Sequence, residues 1–228
     1  MKREIIKTGD GSATIFLPEW NEHYHSKHGA VQEALHVFIK SGLTFFTENN
    51  SVQKLSILEI GFGTGLNALV TFLEARKKGI SIEYTGVEAY PVASEELAHL
   101  NYASSFEEEE ALAEEIFQKI HQTEWSQKGQ ISEAFNLEKQ QQFFDEITAK
   151  DEFDLIYFDA FGPRVQPDLW TVEIFRKMYR ALHPGGMLVT YSAKGSVRRA
   201  MQEVGFEVER IPGPPGKREM LRAVKPLA

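Results

Sequence analysis

The residues of this chain whose types and spacing could do chemistry are a glycine run with an acidic lead, Glu59-x-Gly61-x-Gly63-x-Gly65, followed by two acidic positions, Glu88 and Asp159. The run from Leu55 to Ile60 reads as a short strand buried on both faces, and Leu66 to Lys78 reads as a helix. A strand-to-helix turn that tight needs unusual dihedrals, and backbone without Cβ atoms lets a ligand come close. A nucleotide-like ligand is therefore expected. A dinucleotide fingerprint, G-x-G-x-x-G, would put its third glycine where Leu66 stands, which weakens a nicotinamide dinucleotide reading. Glu88 ends the next strand, where a carboxylate suits two ribose hydroxyls. Asp159 ends the run Phe153 to Phe158, another buried-looking strand. In open parallel sheets ligands sit beyond the carboxyl ends of the strands, so Asp159 and the glycine turn should face one cleft. The plain alternatives are a turn without ligand and ordinary surface carboxylates.

The elements that must position these residues follow the same pattern. Residues 5–7 and 14–17 predict a hairpin around Gly9-Asp10-Gly11, and a helix is expected from Ala30 to Lys40. After the helix closed by Gly79, residues 82–87 form a strand; 91–102 and 107–119 read as helices, the second acidic and exposed. Residues 95–152 are the least informative. Asp168 to Leu182 predicts a helix stopped by His183-Pro184-Gly185-Gly186, then a strand at 187–191 and a short helix from Val197 to Val204. Residues 206–211 and 219–224 read as a closing antiparallel pair. Strands alternating with helices predict an α/β fold around a mostly parallel sheet.

With 228 residues and 42% hydrophobic content, one α/β domain is expected. No apolar signal segment or membrane-length run is visible, so a cytoplasmic protein is expected. The absence of cysteine excludes disulfides, thiolate metal sites and cysteine nucleophiles. The net charge of −8 argues against a wholly basic nucleic-acid binder, yet it is unevenly spread. From Arg176 onward there are 11 Lys and Arg against 4 Asp and Glu, a balance of +7; the remainder holds 14 against 29, a balance of −15. That is compatible with a local basic face able to meet phosphates, or with solvated helix surface. His23, His25 and His28 invite a metal hypothesis, but their spacing does not share one helical face and no metal is expected. Phosphate-loop, nucleophile-elbow and H-E-x-x-H patterns are absent.

Four spaced motifs then carry a family resemblance: Gly61 to Asn67; Asp159 to Pro163 with Pro167, Asp168, Trp170 and Thr171; Ser192 to Arg199; and Gly216 to Met220. Together they resemble the tRNA 5-aminomethyl-2-thiouridine methyltransferases of the MnmD type, equivalent to the methyltransferase half of bifunctional MnmC. The resemblance implies a class I methyltransferase fold: a mostly parallel seven-stranded sheet, helices on both faces, an antiparallel last strand and an N-terminal hairpin and helix extension. The resemblance runs from about Trp20 to the C terminus, and the chain is expected to comprise an N-terminal extension, residues 1–50, packed on the core, and the methyltransferase domain 51–228. It implies S-adenosylmethionine as cofactor and N-methylation of the aminomethyl group of a wobble uridine in the tRNA anticodon region. Carried over by position, Tyr24, Glu59, Gly61, Phe62, Gly63, Thr64, Gly65 and Asn67 would line the cofactor, with Gly29 in the same segment as Tyr24. Glu88 would hold the ribose and Asp159 would stand beside the reacting amine. Where many members have Gly-Asp near the adenine, this chain reads Gln140-Gln141, which leaves Gln141 as the adenine contact. Phe161 and Pro163 would meet the target base, and Lys194, Arg198, Arg199, Lys217 and Arg218 the tRNA backbone. No oxidase half, and so no FAD-dependent activity, is expected.

The chemistry fits independently, because methyl transfer from a sulfonium is an in-line displacement that needs a neutral, aimed amine and no covalent nucleophile. An aliphatic amine is mostly protonated at neutral pH, and a carboxylate such as Asp159 can orient it and accept its proton. Phe161 and Trp170 offer faces for an extruded base, with core packing as the alternative, stronger for Trp170. Two other readings compete: a small-molecule N-methyltransferase or aminopropyltransferase of the same fold, and a catalytically dead fold kept as a binding module.

Overall fold

The computed structural model describes residues 2–227. At its start, β1 (Glu4–Lys7), β2 (Ala13–Leu17) and β3 (Glu22–His23) form a small antiparallel sheet in that order, one strand more than the expected hairpin. The turn is tied by Asp10, whose Oδ1 accepts from the Thr8 hydroxyl at 2.7 Å and from Ser12 N at 3.1 Å. A single helical run follows: α1 (Ala30–Ala34), a π-helical stretch (Leu35–Thr44) and α2 (Phe45–Asn49). It runs past Lys40 because Phe38, Ile39, Leu43 and Phe46 continue an apolar face onto the main sheet. Gly42 sets how close that face comes, since a Cβ there would lie 3.1 Å from Val189 and 3.3 Å from Tyr157.

The remaining elements are β4 (Lys54–Ile60), α3 (Leu66–Lys78), β5 (Ser81–Glu88), α4 (Ser94–Leu97), α5 (Glu110–Gln122), β6 (Lys128–Ser132), β7 (Phe135–Gln141), β8 (Phe153–Phe158), α6 (Val172–Ala181), β9 (Leu182–Thr190), α7 (Gly195–Glu203), β10 (Glu207–Pro212) and β11 (Glu219–Val224). The sheet order is β10-β11-β9-β8-β4-β5-β7-β6. Strands β9, β8, β4, β5 and β7 are parallel, and β11 runs antiparallel to both its neighbours, as expected for the last strand. The expectation of seven strands is corrected to eight, because Lys128–Ser132 folds back antiparallel onto β7. The sheet separates two apolar layers. Leu55, Ile57, Tyr84, Leu155 and Tyr157 pack with the helical run, α3 and α5; Leu58, Ile60, Ile156 and Phe158 pack with α6 and α7. Ile15 and Leu17 of the N-terminal sheet belong to the first layer.

Several boundaries shift for local reasons. The expected helix over 91–102 shrinks to α4, followed by a 3₁₀ turn at Tyr102–Ser105. The expected exposed helix, α5, buries Ala113, Ile116, Phe117 and Ile120, a stripe at helical spacing. Helix α6 starts at Val172, capped by the Thr171 hydroxyl that accepts from Ile174 N, with a 3₁₀ turn at Pro167–Trp170 before it. No helix among the described residues is long and apolar enough to cross a membrane.

Candidate active site

The glycine turn is built as its composition demands. Gly61, Gly63 and Gly65 take φ of +88°, +50° and +74°, and Gly65 begins α3. The amides of Gly61 and Phe62 both donate to Val87 O at 3.0 Å, which fastens the end of β4 to the end of β5. Asp159 N donates to Ile60 O at 2.8 Å, and a Cβ on Gly61 would lie 2.7 Å from Asp159 O. Three strand ends and the turn therefore meet at one place. Glu88 braces the turn from below, its carboxylate accepting from Gly63 N at 3.1 Å and from Tyr90 N at 2.9 Å. From the first turn of α3, the Asn67 amide donates to Glu59 at 2.8 Å and to Asp159 at 2.9 Å.

Over this floor lies a cleft of about 1240 Å³. Of the residues expected at the site, Tyr24, Gly61, Phe62, Gly63, Thr64, Asn67, Glu88, Asp159, Phe161 and Lys217 line it. Five residues expected at the cofactor or the target base stand outside this lining. Glu59 is sealed from solvent beneath Asn67, so it cannot touch a cofactor. Gly65 serves the backbone turn, with its Cβ direction facing His121 and Ile120. Gln141 is exposed at the end of β7 and lies outside the lining, where Phe143 and Phe144 stand instead. Pro163 lies outside it too, between the lining residues Gly162 and Val165. Gly29 turns away from the cleft, its Cβ direction blocked by Asp10.

One end of the cleft gathers aromatic rings and opposite charges. Phe161 meets Trp20 edge-on at 5.6 Å and Tyr24 edge-on at 5.0 Å. Trp170 is buried and donates its indole N–H to Phe161 O at 2.7 Å, so it is a core residue that holds the loop. Tyr191 fixes the same loop by donating to Ala160 O at 2.8 Å. Lys217 ion-pairs with the buried Glu33 at 2.7 Å and lies 3.9 Å from the centre of the Tyr191 ring. Its ammonium thus stands in the cleft wall, apart from the other basic residues expected to meet tRNA. Burial and the nearby Glu33 push the Asp159 carboxyl well above the usual carboxylate range, while Asn67 and Lys217 pull it back. Lys194, Arg199 and Arg218 are exposed and Arg198 half-buried, all outside the cleft lining.

Trp20, Glu33, Tyr191 and Phe143 were not foreseen. Glu33 and Trp20 lie in segments without a motif, whereas Phe143 follows directly on a parallel strand end, a place the strand-end rule points to. The histidines split up: His25 bonds the Thr14 hydroxyl at 3.0 Å and His23 packs on the Phe16 ring. No cluster of potential metal ligands occurs among the described residues.

A family profile described as S-adenosyl-L-methionine-dependent methyltransferase matches residues 105–226, just over half of the chain. The chain belongs to this methyltransferase family. The bifunctional protein MnmC of tRNA 5-methylaminomethyl-2-thiouridine biosynthesis from Cupriavidus necator is 30% identical to the methyltransferase over 220 residues, 90% of the chain and 32% of that protein. The chain thus spans about a third of the length of that relative. The crystal structure of MNMC2 from Aquifex aeolicus has the same fold, with a TM-score of 0.80 at 23% identity, covering all of this chain and 71% of that one. A probable spermidine synthase from Corynebacterium glutamicum shares the fold more distantly, with a TM-score of 0.53 at 20% identity over 98% of this chain and 76% of that one.

The residues present fit the cofactor. The glycine cradle would be filled by side chains, since a Cβ on Gly63 would lie 3.3 Å from the Tyr24 ring. Asn67 Oδ1 is buried with no donor among the described residues, an acceptor that suits a ligand's ammonium. Glu88 offers a carboxylate to ribose hydroxyls. When bound, S-adenosylmethionine supplies an electrophilic methyl group on a sulfonium. The residues placed to hold it would be Gly61 and Gly63, with Tyr24 and Phe161 excluding water and Asp159 orienting an acceptor.

Proposed function

We propose that the methyltransferase N-methylates the 5-aminomethyl group of 5-aminomethyl-2-thiouridine at the wobble position of tRNA. The observation that carries this reading is the acceptor end of the cleft. There the carboxylates of Asp159 and Glu33 and the rings of Trp20, Tyr24 and Phe161 surround space beside the glycine turn. A carboxylate attracts the ammonium and takes its proton, freeing the lone pair that attacks the methyl group, while aromatic edges and faces suit an extruded base. The likeness to MnmC supports the same substrate, and the exposed Lys194, Arg199 and Arg218 support a partner with a phosphate backbone.

The test is incubation of the purified protein with S-adenosylmethionine and tRNA carrying 5-aminomethyl-2-thiouridine, followed by nucleoside analysis. Conversion to 5-methylaminomethyl-2-thiouridine is expected. No methyl transfer to that nucleoside, with efficient transfer to a free amine, would move the protein to the small-molecule reading.

A further inference from the structure

Four side chains are joined end to end beneath the cleft floor. The Tyr84 hydroxyl donates to Glu59 Oε2 at 2.8 Å. Asn67 Nδ2 donates to Glu59 Oε1 at 2.8 Å and to Asp159 Oδ2 at 2.9 Å. Glu59 and Tyr84 are 0% and 2% exposed, so neither reaches a ligand. A carboxyl group in the core is costly, and the partners here are a phenol and an amide rather than a cation. Filling space alone would be served better by an apolar residue, as at Leu58 and Ile60 on either side.

The amide explains the carboxyl. Asn67 has two N–H donors and one oxygen, and with one N–H held by Glu59 the other is aimed at Asp159 while Oδ1 is left free. The geometry points to Glu59 as a positioning residue: through Asn67 it aims the Asp159 carboxylate at the acceptor amine. The identity of that amine rests on the tRNA reading above; the placement of Asp159 does not. Asp159 is also faced by Glu33 from α1, Lys217 from the C-terminal loop and Tyr191 after β9, which the test leaves in place, and by the Glu59 carboxyl itself, which Glu59→Leu and Glu59→Gln remove alike.

Glu59→Gln keeps an acceptor for the Asn67 N–H, whereas Glu59→Leu removes it at similar volume. The leucine variant should turn over aminomethyl-bearing tRNA about tenfold more slowly, as expected when a charged group loses a supporting hydrogen bond. Its affinity for S-adenosylmethionine should fall by less than the rate, since the Asn67 oxygen loses the same anchor, and glutamine should restore most of both. The acid limb of the kcat profile should lie at higher pH in the leucine than in the glutamine variant, because Asp159 loses a donor that favours its ionised form. In an Asp159→Asn background Glu59→Leu should cost nothing further. A second readout needs neither substrate nor cofactor: an NMR titration of the Asp159 carboxyl in protein labelled with ¹³C-aspartate. The midpoint should lie higher in Glu59→Leu than in Glu59→Gln, which removes the same carboxyl but keeps the acceptor, and higher in Asn67→Ala than in wild type. Asn67→Ala breaks the chain at its middle and carries the comparison if the leucine variant does not fold. An Asp159 midpoint equal in Glu59→Leu and Glu59→Gln would overturn the proposal, as would additive losses in the double variant. Failure of the wild type to methylate the tRNA would defeat the functional reading while leaving the titration comparison intact.

Discussion

Gly63 has neither the dihedral nor the space for a side chain, with φ at +50° and the Tyr24 ring 3.3 Å from the position a Cβ would take. Gly63→Val should therefore abolish S-adenosylmethionine binding measured by calorimetry, and the wild type should not bind NAD; the reverse selectivity would contradict the cofactor assignment. Asp159→Asn keeps the shape but removes the charge and the capacity to take a proton. Turnover should fall on the order of a hundredfold or more while cofactor affinity changes little. A variant as fast as wild type would make Asp159 structural. Two histidines tie stability to pH. Burial pushes His25 and His121 down to about 4, below the 6.5 of an unfolded chain. Between those values the unfolded state binds more protons, so stability is fully present above pH 6.5 and is lost as pH falls towards 4. Thermal melts over that range should show a falling Tm; a flat profile would mean that neither ring is held neutral.

Gly42 lets the π-helical stretch lie on β8 and β9, where a methyl group must displace Val189 or Tyr157. Gly42→Ala should destabilise the protein by about 1–3 kcal/mol, measured by denaturant unfolding, and unchanged stability would show that the packing there yields. That contact also shows where reading the chain stops. Strands β4, β5 and β8 were legible because they are short apolar runs ending in glycine or acid, and α3 because Gly65 and Gly79 punctuate it. The helical run beyond Lys40 was not, since its extension depends on apolar contacts with strands far along the chain. Strand β6 was hidden because Lys128-Gly129-Gln130 has no strand signal of its own and forms by pairing with β7. In the site, the glycines, Glu88 and Asp159 were visible from type and spacing. Glu59 was misplaced because a sequence shows that an acid precedes the turn but not which way its side chain points. Glu33 and Trp20 were missed because only tertiary packing brings them to the cleft.

The basic excess of the last quarter divides once the chain is folded. Arg210, Lys217, Arg222 and Lys225 are engaged by Glu219, Glu33, Glu209 and Asp151. Lys194, Arg199 and Arg218 remain exposed, with Arg198 beside them on α7. If this group meets a tRNA backbone, affinity should fall linearly in log-log terms with salt, each neutralised phosphate adding about 0.9 to the slope on a duplex. Replacing Arg198 and Arg199 by alanine should weaken tRNA binding and flatten that slope, leaving cofactor affinity near wild type. Identical slopes would take α7 out of the interface. The bond between Lys217 and Glu33 spans 184 positions, and His36 reaches Pro212 O at 2.9 Å across a similar interval. The acceptor wall is thus made from segments far apart in the sequence, whereas the glycine turn is tied to Val87 of the next strand, so the cofactor cradle is a local construction and the substrate seat exists only once the long-range contacts of the fold have closed.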